Sequence, residues 1–157
     1  MLVFAHFSVS FYAYYFTHHL LKKYTNEKEL FKSSCFVGLA GLTPDIFSIH
    51  LTLSSRHNAF SHTAFFPLIA LVISIIVVCS LRLPKHFILW IPFAVITHLL
   101  LDAVSGGIRL LPSGNIIGNS MIQPSSWGFF EIFFFCLLTL TYKHVVRKKV
   151  KKAEYYN

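Results

Sequence analysis

The 157-residue chain is 55% hydrophobic and 17% aromatic, and only 13% of its residues are charged. A soluble domain carries about 25% charged residues, so this composition excludes a surface covered by water alone and indicates one integral membrane domain over residues 1–157. The net charge of +8 does not indicate nucleic-acid binding, because the positive residues cluster between apolar runs and in a basic tail over 143–157.

Five apolar runs predict an all-α fold, an integral membrane helical bundle with about five transmembrane helices. The predicted spans cover residues 2–21, 33–53, 64–81, 86–104 and 127–146. Residues 108–126 are rich in Gly, Pro, Asn and Ser and lack a run long enough to cross a bilayer. They are therefore predicted to form a loop.

The second run is less regular than the others. Gly38 and Gly41 permit close helix packing, and Pro44 permits a kink. Asp45 follows the proline, and an isolated aspartate within a span indicates a functional residue by default. The same aspartate also suits the N-cap of a short further turn.

Two pairs of polar residues interrupt the apolar pattern near the ends of the runs. The stretch from His57 to Thr63 carries two histidines, His57 and His62, between the second and third runs. Histidine at membrane depth is costly without a partner. The fourth run closes with His98 and Asp102, whose four-residue separation places both side chains on one helix face. There they can both ligate one metal ion, or the carboxylate can orient the imidazole.

The distribution of Lys and Arg predicts the orientation. One side carries Lys22, Lys23, Lys28, Lys32, Arg82, Lys85 and the six basic residues of the tail. The other side carries only Arg56 and Arg109. By the positive-inside rule, the C-terminus is predicted to be cytoplasmic and the N-terminus outside.

This orientation places the polar residues of the spans toward one face. The outer half receives His6, Asp45, His50, His57, His62, His98, Asp102 and Glu131. The count of positive residues does not use these side chains, so their common side is independent support for one shared site.

Imidazole nitrogens and carboxylate oxygens suit zinc, and they also suit manganese or iron. The candidate ligands are His6, Asp45, His57, His62, His98 and Asp102. Six ligands exceed the four that one closed tetrahedral zinc needs. Either two ions bind, or some of these residues orient the ligands or take part in catalysis. A bound metal lowers the pKa of its water to about 7 and polarises a phosphoryl or carbonyl oxygen. The implied reaction is hydrolysis, with Glu131 or Asp45 as candidate general base.

The stretch from His57 to Thr63, H-N-A-F-S-H-T, resembles the H-R-G-x-T-H-S signature of the YdjM-type family of membrane-bound, metal-dependent hydrolases. This is a LexA-regulated group of the inner membrane. His6 resembles the family's early histidine, residues 41–45 resemble its L-x-P-D segment, and residues 97–111 resemble its S-H-L-L-L-D segment with the following glycine pair. The resemblance implies a metal-dependent hydrolase in a bacterial inner membrane.

Two positions depart from that pattern. Asn58 stands where the family has arginine, with Arg56 as the nearest replacement, and the loop after Leu111 lacks a Trp-Pro pair. The ligand order is also similar, more loosely, to that of zinc-dependent phospholipase C and related nucleases. The downstream histidine and glutamate of that series are missing here, and Glu131 is a partial stand-in.

The expected function is metal-dependent hydrolysis of a phosphoester in or near the lipid headgroup layer, with membrane lipid and a small-molecule or lipid substrate as partners. The alternatives are a metal-ion transporter, a metal-sensing membrane protein, or an inactive relative in which Asn58 abolishes activity. A transporter needs polar residues that continue to the other face. Only His18, His19 and His86 lie there, beside lysines, and the doublet is expected to extend to the lipid headgroups.

Overall fold

The computed structural model describes residues 3–24, 26–47, 59–109, 111, 114–118 and 126–154, with side chains described as far as 145. In this part of the chain almost every element is helical, which confirms the predicted helical class. The elements in chain order are α1 (Val3–Leu20), α2 (Glu27–Ala40), α3 (Thr43–Phe47), a 3-10 helix (Phe60–His62), α4 (Phe66–Ser80), α5 (Phe87–Ser105), β1 (Ile108–Arg109), β2 (Ile116–Ile117) and α6 (Trp127–Glu154).

The second predicted span, 33–53, does not form one continuous helix. Its first helix, α2, begins earlier, where the Asn26 side chain accepts a hydrogen bond of 2.9 Å from the Lys28 N–H. Glu27 and Glu29 lie in the first turn, where carboxylates interact favourably with the helix dipole. The helix has 14 residues, a length of about 21 Å, so it is shorter than the roughly 30 Å hydrocarbon core.

Among the residues that the structure describes, two helical segments are long and apolar enough to cross a membrane, Phe87–Ser105 and Trp127–Val145, and Phe66–Ser80 is apolar but shorter. Large hydrophobic side chains on α4 and α6 are exposed, including Leu68, Val72, Ile76, Ile132 and Leu140. Uncovered apolar surface of this kind is typical of contact with lipid or another chain. The α6 helix also runs beyond the predicted end of the last span, through the basic tail to Glu154.

The α1 helix lies at the centre of the packing and contacts α2, α5 and α6, while α4 packs against α5. Glycines bring α2 close to α1. A Cβ atom on Gly38 would stand 2.8 Å from the Phe7 ring, and one on Gly41 would stand 2.5 Å from Ser10 Oγ. The close packing predicted from these two glycines is therefore present.

The C-terminal end of α5 is held by a short hairpin. The N–H groups of Gly106 and Gly107 both donate to the Asp102 carbonyl at 3.0 Å, and Gly107 has a φ of +80° that favours glycine. Strands β1 and β2 then pair antiparallel, so the predicted loop 108–126 contains a hairpin. Gly118 returns against the Ala103 carbonyl, where a Cβ atom would collide.

Candidate metal centre

Four of the six predicted ligands converge at one point between α3, the 3-10 helix and α5. The group consists of Asp45, His62, His98 and Asp102, each at most 7% exposed. Each residue offers one ligand atom, and these atoms all lie within 4.8 Å of one another. A buried group that could hold a metal ion is therefore present, as the sequence predicts.

The local sequence places each member of this group. Asp45 lies in the five-residue helix α3, which starts two residues after Gly41 ends α2. His62 ends the 3-10 helix. His98 and Asp102 lie one turn apart on the buried face of α5, as their four-residue spacing predicts.

The backbone of α2 determines the tautomer of His98. Its Nδ1 lies 2.7 Å from the carbonyl oxygen of Gly41. A carbonyl can only accept a hydrogen bond, so Nδ1 carries the hydrogen and donates it. In the neutral imidazole, Nε2 then has a free lone pair, and this nitrogen faces Asp45 and Asp102.

Ser61 determines the tautomer of His62 in the same way. The Ser61 hydroxyl donates to the Pro44 carbonyl at 2.8 Å and lies 3.1 Å from His62 Nδ1. Because the single hydroxyl hydrogen is directed at Pro44, Ser61 Oγ accepts from His62 Nδ1–H. The Nε2 lone pair of His62 therefore also faces the carboxylates.

Two imidazole lone pairs and two carboxylates thus face one another. His62 Nε2 lies 3.1 Å from Asp102 Oδ2, 3.4 Å from Asp45 Oδ1 and 3.4 Å from His98 Nε2. Acceptors that converge without a hydrogen between them repel one another, and either a proton or a metal ion placed among them would offset that repulsion. Burial alone lowers the pKa of His62, but hydrogen bonds to the two carboxylates outweigh it and raise that pKa above its ordinary value. A proton and a metal ion therefore compete for the same lone pair.

The spacing fits a first-row metal ion. Tetrahedral zinc with bonds of about 2.0–2.1 Å separates its ligand atoms by about 3.3–3.4 Å. His98 Nε2 lies 3.3 Å from Asp102 Oδ2 and 3.7 Å from Asp45 Oδ1. With the three distances of His62, five separations within the group fall between 3.1 and 3.7 Å.

His6 lies beside the four-residue group and contacts two of its members, Asp102 and His98. Its Nε2 is 3.2 Å from Asp102 Oδ1, the carboxylate oxygen turned away from His62 and His98. The His6 ring also packs against the His98 ring at a tilt of 37°, with ring centres 4.1 Å apart. This contact suits a residue that orients Asp102, and it equally suits a ligand to a second ion bridged by that carboxylate.

Glu131, one of the two candidate general bases, is a residue of α6 whose carboxylate lies against the start of α1. Its carboxylate accepts hydrogen bonds from the backbone N–H groups of Phe4 at 2.8 Å and Ala5 at 3.4 Å. The first N–H groups of a helix lack partners within the helix, and a carboxylate there is favourable for the helix dipole. The observed contact is thus a cap two residues before His6, and a role in proton transfer stays a prediction.

His57, the remaining predicted ligand, and the positions of His50, Arg56 and Asn58 lie outside the described residues. Sequence reasoning passed over the groups that orient the two imidazoles, Ser61 and the Gly41 carbonyl. Both lie within the motifs that carry the family resemblance, directly before His62 and four residues before Asp45. A search of those motifs for partners of the ring nitrogens would have found Ser61, but no side chain indicates a backbone carbonyl.

Comparisons with protein-family models, with curated proteins and with solved structures give no match to this chain. The resemblance to the YdjM-type family therefore stays a prediction that depends on the motifs alone.

Proposed function

We propose that this protein is an integral membrane, metal-dependent hydrolase whose ion is held by Asp45, His62, His98 and Asp102. The observation that carries the proposal is the inward direction of two histidine lone pairs, set by Gly41 and Ser61, toward two buried carboxylates. A divalent ion held by these residues would supply Lewis acidity for polarising a phosphoryl oxygen and activating water. Zinc fits the spacing, and manganese or iron also suits the nitrogen and oxygen donors.

The residues of the chain contribute orientation, charge and exclusion of water. The two carboxylates balance the charge of one divalent ion, and Asp102 is itself held by His6 from the other side. If zinc occupies the group, these four residues would hold it, and water would have to reach it past the member nearest the surface. That member is Asp45, which lies in the five-residue helix α3 and is the most exposed of the four, at 7%.

The proposed substrate is a phosphoester of the lipid headgroup layer, cleaved by water. The group lies at the C-terminal end of α5, a helix long and apolar enough to cross a membrane. In the proposed topology this end of α5 would lie near the boundary between hydrocarbon and headgroups, where a lipid phosphoester is present at high local concentration. The family resemblance of the motifs supports hydrolysis and leaves the substrate open.

The proposed topology has five membrane segments, with the N-terminus and the metal group on the outer face of a bacterial inner membrane and the C-terminus cytoplasmic. The excess of Lys and Arg on the other side supports it. Single cysteines placed at Arg82 and Arg109 in a chain without its native cysteines test the orientation. An impermeant maleimide should label position 109 from outside intact spheroplasts and should label position 82 only after lysis. The reverse pattern would contradict the orientation.

The test of function uses the full chain, purified in detergent with an affinity tag that contains no histidine. Metal content is measured by mass spectrometry, and hydrolysis is followed with bis(p-nitrophenyl) phosphate and with phosphatidylglycerol vesicles. We expect metal and activity in the wild type. His98→Ala and Asp102→Asn should lose the activity and the one equivalent of metal that this group holds. The matched control is His19→Ala, an exposed histidine on α1, which should retain both. Folded His98→Ala and Asp102→Asn proteins that keep the wild-type amount of metal and the activity would refute the proposal.

A metal-ion transporter is the second candidate, and one observation favours it. Buried polar side chains recur every four residues along α1 and face α5: His6, Ser10, Tyr14 and His18. Ser10 Oγ lies 2.8 Å from Thr97 Oγ1 on α5, which continues the polar seam inward from the metal group. Beyond Ser10, the Tyr14 ring stacks on Phe87 with ring centres 5.7 Å apart, and this aromatic pair separates Ser10 from His18. Uptake of zinc into proteoliposomes without hydrolysis would favour this candidate over the enzyme.

A further inference from the structure

A second cluster of polar rings lies at the opposite end of the α1–α5 interface. It consists of His18 and Tyr14 on α1, Tyr24 after α1, and His86 before α5. His18 lies twelve residues after His6 on the same helix, which corresponds to about 18 Å along the axis. The cluster is therefore separate from the metal group described above.

Hydrogen bonds within this cluster have a defined direction. The Tyr24 hydroxyl donates to Ser33 Oγ at 3.3 Å, so its oxygen accepts from the Tyr14 hydroxyl, 2.6 Å away. The hydrogen of Tyr14 is then used, and Tyr14 Oη accepts from His86 Nε2–H at 2.7 Å. Neutral His86 is therefore the Nε2–H tautomer, with its lone pair on Nδ1.

His18 is the opposite case, a buried imidazole that lacks hydrogen bonds. It is 3% exposed, and neither ring nitrogen has a hydrogen-bond partner among the described residues. The prediction that this histidine extends to the lipid headgroups is thus wrong. Position 18 falls on the buried face of α1, one turn after Tyr14, whereas the neighbouring His19 is exposed. A polar ring in such a setting is costly unless a ligand satisfies it.

We propose that His18 and His86 form a second metal site, which takes a transition-metal cation of the class that prefers imidazole, such as Zn²⁺. This site is independent of the proposed hydrolase centre. The centres of the two rings lie 5.1 Å apart. Two imidazoles bound to one tetrahedral ion at about 2.0–2.1 Å place their ring centres about 5 Å apart, so the rings are already at the spacing that shared ligation needs.

The surroundings suit a site with two protein ligands. Tyr14 and Trp90 pack on His18, with ring centres 4.2 and 5.6 Å away, and they shield it from water. The hydrogen bond from His86 Nε2 to Tyr14 orients that ring, as second partners do for metal-bound histidines. The exposed Lys23 interacts electrostatically with both histidines and opposes a cation. We therefore expect Lys23→Gln to strengthen binding severalfold at low ionic strength.

The test measures Zn²⁺ bound per chain after dialysis of the full protein in detergent, again with a tag that contains no histidine. His18→Phe and His86→Phe should each bind one Zn²⁺ fewer than the wild type, because phenylalanine fills the space without a ligand nitrogen. The matched control is His19→Phe, adjacent in sequence but exposed and stacked on Tyr15, which should bind the wild-type amount. His98→Ala should lose the ion of the other site and keep this one, so the two proposals fail separately.

A milder variant keeps the proposal testable if His18→Phe or His86→Phe folds poorly. Tyr14→Phe removes only a hydroxyl, and it should weaken the affinity of this site by about 10–100-fold. His86 Nε2 then loses its 2.7 Å contact with Tyr14 and keeps only the 3.4 Å contact with the Tyr24 hydroxyl. The visible absorption of bound Co²⁺ should report the same loss in Tyr14→Phe and in His18→Phe. Wild-type stoichiometry and an unchanged Co²⁺ spectrum in the His18, His86 and Tyr14 variants would overturn the proposal.

Discussion

His98 on α5 donates its Nδ1–H to the carbonyl oxygen of Gly41, 2.7 Å away at the end of α2. The direction of a buried imidazole is thus set by the backbone of a different helix. Gly41 itself stands so close to Ser10 on α1 that any side chain there requires a shift. The metal group therefore depends on how closely α1 and α2 pack, and a substitution remote from the ligands can test this dependence.

We expect Gly41→Ala to weaken metal binding although it changes no ligand. The added Cβ would stand 2.5 Å from Ser10 Oγ and 3.1 Å from Ser10 Cβ. Rotation of the hydroxyl relieves only the first contact, so we expect the end of α2 to shift and to carry the carbonyl away from His98. Overpacking of this kind costs about 1–3 kcal/mol of stability, and loss of the supporting hydrogen bond costs about 10–100-fold in metal affinity. The measurements are zinc affinity by competition with a chelating dye and the thermal midpoint.

Gly128→Ala is the control for that experiment, because a Cβ on Gly128 meets nothing within 4 Å. It should leave metal affinity unchanged. If Gly41→Ala binds zinc as tightly as Gly128→Ala does, the carbonyl does not orient His98 in the way the geometry indicates.

The second prediction concerns Ser61, which accepts the Nδ1–H of His62. Ser61→Ala removes this acceptor and leaves the imidazole free to adopt the other tautomer, so zinc affinity should fall by about 10–100-fold. Ser61→Thr keeps a hydroxyl and should restore most of it. Thr63→Val is the control, because the Thr63 hydroxyl bonds the Phe60 carbonyl at 2.7 Å and contacts neither carboxylate. Equal affinities in Ser61→Ala and Thr63→Val would contradict the tautomer argument.

The sequence predicted the helical class and the meeting of Asp45, His62, His98 and Asp102, because spacing on a helix and the side of the membrane are both properties of local pattern. The sequence did not predict where α2 begins and ends. Asn26 and the two glutamates after it start the helix, but they lie in a charged segment that the hydropathy pattern assigns to the connection between spans. The sequence also misplaced His18. Burial of that residue depends on which face of α1 meets α5, and an apolar run on every face gives no such signal.

The third prediction links the metal to stability. A ligand that binds only the folded protein stabilises it by about 2.7 kcal/mol at one hundred times its dissociation constant. Removal of metal with a chelator should therefore lower the thermal midpoint of the wild type, and added zinc should restore it. Asp102→Asn should show a clearly smaller response, limited to the ion proposed at His18 and His86, because its remaining oxygen cannot balance the charge of an ion in the first group. A chelator effect of equal size in Asp102→Asn would place the stabilising metal elsewhere.

The last prediction separates two roles for Glu131. Its carboxylate caps the N-terminus of α1 through the N–H groups of Phe4 and Ala5, and His6 follows directly in the same turn. If capping is its role, Glu131→Ala should lower stability by about 0.5–2 kcal/mol and raise the substrate KM modestly, while kcat stays near the wild-type value. Glu131→Gln keeps one acceptor oxygen and should recover much of the stability. A general base would give the opposite pattern, since a glutamine cannot take a proton and kcat would fall by about 100-fold or more in a protein of nearly normal thermal midpoint. Measuring kcat and unfolding on the same two variants therefore decides between the cap and the base.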